Sequence, residues 1–172
     1  YVKAIEDSLG DYKAKLVLAD GQTVTVDVDD EDGDGNALTV TKGDYVSYTV
    51  EDNVYTLTKE SPAALSGATI EKGSSKVGSV VANNATVFVG VKNDKVYTGY
   101  RNVSSMGDVD GAAFVEDGVA TLVFIIDSDL KGNSDSTKFF VADEDAYESF
   151  KQDKNTYYTY TVYIDGEETG LT

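Results

Sequence analysis

Apolar residues in this chain recur at every second position, in short runs broken by turn-forming residues, and that rhythm belongs to β-strands. In Thr23-Val24-Thr25-Val26-Asp27-Val28 the valines face one way and the polar residues the other, as on a half-buried antiparallel strand. Before it, Tyr12 to Leu18 runs into Ala19-Asp20-Gly21, a tight turn in which Asp-Gly accepts positive φ at little cost. Leu38 to Thr41, Tyr45 to Val50 and Val54 to Thr58 continue the series, the last two joined by Glu51-Asp52-Asn53. Five short strands this close together predict a small closed or half-open barrel or sandwich, which hides its edges by curling.

Ser61-Pro62-Ala63-Ala64 holds the only proline and interrupts the alternation, so it marks the boundary between a first β-module, residues 1–61, and a second, residues 62–172. In the second, hairpins are predicted around Lys92-Asn93-Asp94 and around Glu116-Asp117-Gly118. Val119 to Ile126 is apolar on both faces and is therefore expected in the middle of a sheet. Phe139 to Val141 reads as a further strand. Asp143 to Lys151 is the one segment that reads as a helix, with an acidic start suited to the helix dipole. The expected class is all-β with one short helix, built as small antiparallel barrel or sandwich modules in tandem.

The composition narrows the chemistry. There is no histidine and no cysteine, so a triad base, a thiol nucleophile, a disulfide framework and the usual zinc, haem and iron–sulfur ligands are unavailable. A net charge of −17 repels nucleic acid and anionic membrane surfaces alike. No apolar run approaches the roughly 20 residues of a membrane helix. The lack of cysteine fits either a reducing cytosol or the exterior of a Gram-positive cell, and the acidic, Thr/Ser/Gly-rich composition tips the expectation towards the exterior. The first residue is Tyr1 rather than Met, as expected of an internal or processed piece of something longer.

The two ends echo each other. Displaced by about 145 positions, Tyr12 falls on Tyr157, Val17 on Val162 and Asp20-Gly21 on Asp165-Gly166. The last strand therefore reads as the opening of a further repeat, and arrays of β-modules commonly serve as spacers or lattices. The strings Asp44 to Val50, Val54 to Thr58, Thr86 to Val89, Val96 to Val103 and Gly118 to Ile125 resemble the repeated β-rich regions of large cell-surface proteins that carry S-layer homology domains in Gram-positive gut anaerobes. The resemblance covers most of the chain from Tyr12 onward and lies in strand and turn wording. It implies an exported, wall-associated, non-enzymatic protein whose partners are neighbouring repeats or like subunits. The anchoring S-layer homology domain itself is absent from these residues.

Two sets of residues are candidates for ligands. Asp30-Glu31-Asp32-Gly33-Asp34-Gly35 matches the opening of a calcium loop, with Asp30, Asp32 and Asp34 as alternate oxygen donors. The twelfth position is Thr41 in place of a bidentate Glu, so an EF-hand is ruled out, and a solvated acidic loop is the competing reading. Tyr157, Tyr158, Tyr160 and Tyr163 are the densest aromatic group and would stack on sugar rings in a carbohydrate-binding accessory module. On a strand, Tyr158 and Tyr160 take one face and Tyr157 and Tyr163 the other, so they do not form one platform. Tyrosine on a half-buried sheet surface is therefore the favoured account of them. With no carboxylate pair singled out, enzymatic activity ranks below both the structural and the binding reading.

Overall fold

The computed structural model describes residues 1–133, 147–152, 155–164 and 167–171. These form two compact units, Tyr1–Ser134 and Asp135–Thr172. The first sheet of the larger unit contains β1 (Val2–Ser8), β2 (Asp11–Val17), β3 (Thr23–Val28), β4 (Tyr45–Glu51) and β5 (Val54–Glu60), in the order β1-β2-β3-β5-β4. All neighbours are antiparallel except β3 and β5, which meet in parallel at Asp27–Val54 and Val28–Tyr55. Alternation works as expected in β2, where Ala14 and Leu16 are buried between exposed lysines. The turn between β4 and β5 places Asp52 and Asn53 at φ 50° and 67°, the backbone that suits the twist of a two-residue hairpin.

Two local expectations differ from the structure here. Val2 to Ser8 forms a strand that the sequence pattern did not reveal, because Glu6, Asp7 and Ser8 break its alternation. Leu38 to Thr41, expected as a strand, is irregular. Its apolar residues still reach the core, with Val40 buried beside Leu16 and Leu57, so alternation there records burial without ladder pairing.

The second sheet follows Pro62 directly. It comprises β6 (Ala63–Ile70), β7 (Lys76–Val77), β8 (Val80–Gly90), β9 (Lys95–Thr98), β10 (Met106–Glu116) and β11 (Val119–Ile125), with a 3-10 turn at Tyr100–Asn102. The order is β11-β10-β6-β7-β8-β9, and β11 also pairs in parallel with β8. That second pairing closes the sheet on itself. β11 thus lies between two strands, as its apolar residues from Leu122 onward predict. Val123 and Ile125 point into the ring with Phe88, Ile70 and Val109, while Phe124 points outward.

The outward residues unite the two sheets. Phe124, Val89 and Val91 are buried with Val17 of β2, and Tyr1, Tyr45 and Phe114 complete the layer. Tyr45 lies 5.4 Å from Tyr1 and 5.7 Å from Phe124 between ring centroids, close enough for favourable aromatic contact. A polar latch reinforces the layer: Asp94, in the β8–β9 turn, accepts hydrogen bonds from Lys3 of β1 and Thr23 of β3, both at 3.0 Å. Pro62 therefore marks the change of sheet, and an apolar core spans the two sheets it separates.

The smaller unit is a three-stranded antiparallel sheet in the order β12-β13-β14, from β12 (Tyr147–Gln152), β13 (Asn155–Ile164) and β14 (Glu167–Leu171). The helix expected over Asp143 to Lys151 is overturned from Tyr147 onward, where β12 pairs with β13 from Tyr147–Tyr160 to Gln152–Asn155 without a break. Residues 143–146 lie outside the described residues, as does the expected strand at Phe139 to Val141. A nine-residue helix has little stability of its own, and pairing with a tyrosine-rich strand supplies more.

Candidate functional site

The acidic loop leaves β3 and is folded by its own side chains. Asp32 accepts the backbone N–H groups of Asp34 at 3.0 Å and Asn36 at 2.9 Å, and its carbonyl accepts that of Gly35 at 2.9 Å. The Asn36 backbone N–H leads the causes that hold the Asp32 carboxyl below the usual carboxylate range. Asp29 accepts the Glu31 N–H, and a bridge between Glu31 and Ala37 closes the neck. Gly33 lies against Thr58 of β5, so tightly that a β-carbon would meet its hydroxyl. Asp32 thus directs its carboxylate into its own turn. Asp30 and Asp34 flank it, and among the described residues no group of three or more acidic, His or Cys side chains is placed to hold a metal ion.

Of the four tyrosines, Tyr157 is exposed and stacks on Phe150 of β12, with centroids 5.4 Å apart and an interplanar angle of 18°. Tyr160 lies opposite Tyr147 on one side and Leu171 on the other, and Tyr163 opposite Glu168. The side chains of Tyr158, Tyr160 and Tyr163 lie outside the described residues.

The other shifted acids are also occupied structurally. Burial works against the Asp44 charge, but hydrogen bonds from Lys59 and from Thr41 hold its carboxyl below the usual range. Asp94 is held down by the Lys3 ammonium first and then by Thr23. In each case the carboxylate fastens a turn or an element to its neighbour. The arrangement is chemically suited to holding shape.

A feature that sequence reasoning missed lies beside β4. A groove of about 430 Å³ runs past Val46, Ser47 and Tyr48 and is floored by Tyr1, Leu18, Phe114 and Phe124. The signal was present in Tyr45 to Val50, six residues with no charge in a chain of net −17. What the sequence did not disclose is that β4 is the outermost strand of its sheet. A second concavity, about 470 Å³, is lined mostly by polar and small residues of β6, β7 and the turns beside them, among them Ser66, Thr69, Glu71 and Lys76.

Compared with known proteins, the chain matches no family model, no curated protein and no solved structure.

Proposed function

We propose that this chain is a structural module of an extracellular, cell-wall-associated surface protein, acting by spacing and self-association. The observation that carries the reading is a repeated meander. β12-β13-β14 has the same antiparallel order as β1-β2-β3, and the two meanders fall on the segments whose sequences echo at Tyr12 and Tyr157. A chain that starts its first motif again near its end is suited to a tandem array. The structural employment of Asp32, Asp44 and Asp94 and the absence of His and Cys from the sequence support a non-enzymatic part. The partners under this reading are neighbouring repeats or like subunits.

One observation favours the alternative, a carbohydrate-binding accessory module: Phe150 and Tyr157 form an exposed stacked pair. An array of cell-wall and host glycans separates the two. The structural reading predicts no binding that depends on Tyr157, Tyr158, Tyr160 or Tyr163. Specific binding lost on changing these tyrosines to Ala would replace it with the accessory-module reading.

A further inference from the structure

The groove beside β4 lies within the larger unit, between β4 and the end of β2, over outward-facing residues of β10 and β11. Its volume of about 430 Å³ falls inside the range of about 300–1,000 Å³ usual for small-molecule sites. Leu18, Val46, Phe114, Leu122 and Phe124 give it apolar walls. Glu60, at the end of β5, is the one charged side chain among its lining residues, and it is half-buried. The Ser47 hydroxyl donates to Glu60 Oε1 at 2.7 Å and holds the carboxylate in place. Among the described residues Glu60 has no ion-pair partner. Neighbouring residues on a strand point to opposite faces, and Lys59 is turned to Asp44 at 2.8 Å. A carboxylate beside apolar walls, with no basic group to offset it, is a group in want of a counter-charge.

We propose that this groove is a binding site for a small organic cation, a primary amine carried on an apolar body about the size of a phenylethyl group. The apolar walls take the body, and Glu60 accepts a charge-assisted hydrogen bond from the ammonium. A cation is selected over an anion because the groove's one charged side chain is a carboxylate, in a chain of net −17. It is selected over a neutral molecule because a neutral body would cover Glu60 without supplying the missing charge. A small molecule is selected over an added strand because the rim is short. Val2 N–H already donates to the Asp44 carbonyl, and Gly43 N–H to the Val2 carbonyl, both at 2.9 Å. A strand laid along β4 would be stopped there, whereas a molecule the size of the groove does not extend so far.

The test titrates phenethylammonium chloride and its near-isosteres phenylethanol and phenylpropionate into the isotope-labelled native chain, read by amide chemical shifts. The amine should bind at least about tenfold more tightly than the alcohol, the margin that a hydrogen bond to a charged group supplies. Phenylpropionate should not bind. Shifts caused by the amine should centre on Leu18, Val46 to Tyr48, Glu60 and Leu122. Glu60→Gln should bring the amine down to the affinity of the alcohol and leave the alcohol's affinity unchanged. Glu51→Gln removes an equal charge from the same sheet outside the groove and should alter neither affinity. The comparison of amine with alcohol on the native chain needs no variant, so it decides the matter even where Glu60→Gln disturbs β5. Equal affinity for amine and alcohol, or no binding of either, overturns the site. So do amine shifts spread over the acidic surface, or an equal loss in Glu51→Gln, since both would show general attraction to a negative protein.

Discussion

Thr86 is the one polar residue among the buried described residues, and it shows how a single side chain closes a sheet. Its hydroxyl donates to the Ala120 carbonyl at 2.6 Å and accepts the Asn83 N–H at 2.8 Å. It does so where the β8–β11 register shifts between Ala120 and Leu122, so it satisfies groups that the ladder leaves over. Thr86→Val keeps the shape and removes both bonds, and should cost about 1–3 kcal/mol in denaturant melts. The carboxylates make a second residue-scale prediction. Asp32, Asp44 and Asp94 have folded pKa values below their ordinary 3.8. Depressed acids contribute stability that is fully present above the unfolded pKa and is lost as pH falls through the folded one. Thermal melts should therefore show a decline in stability beginning near pH 4 and continuing below it. Asp44→Asn should lower stability at neutral pH and reduce the acid-induced loss; an unchanged acid profile in that variant would refute the assignment.

Much of the element list was legible in the sequence, and the exceptions share one cause. The hairpins at Asp20-Gly21, Asp52-Asn53, Asn93-Asp94 and Asp117-Gly118 were readable because turn chemistry is local. β11 was readable because burial on both faces leaves Leu122-Val123-Phe124-Ile125 apolar at successive positions. The helix expected near Tyr147, the strand expected at Leu38 and the missed β1 depend on which partner lies alongside, information that no single segment carries. The site divides in the same way. The acidic loop was visible, but its use of Asp32 to bond Asp34 and Asn36 was not. Tyr45 to Val50 was visible as a strand, but its place at the edge was not. Gly111 is an element-scale case. A β-carbon there would lie 1.9 Å from the Phe124 carbonyl oxygen, so β10 and β11 approach as closely as they do only because this residue is glycine. Gly111→Ala should destabilise the larger unit, with loss of amide-exchange protection concentrated in β10 and β11. Protection unchanged in those strands would contradict the close approach.

At the scale of the whole molecule, the sequence boundary at Pro62 and the packing boundary do not coincide. Phe124, Val89 and Val17 make the two sheets of Tyr1–Ser134 into one unit with a shared core. Residues 1–61 produced alone would expose Leu18, Val17 and Tyr45 and should give no cooperative unfolding transition, whereas residues 1–134 should give a single one by circular dichroism. Two separable transitions in 1–134 would restore independent modules. The acidic surface and the repeated meander support the proposal that the chain is a part for building at the cell exterior. Its central claim is tested most directly by protease shaving of intact cells that make the protein. The account predicts that peptides from exposed segments such as Lys72 to Lys76 are released without lysis, together with known wall proteins. Peptides that appear only after the cells are broken would contradict it.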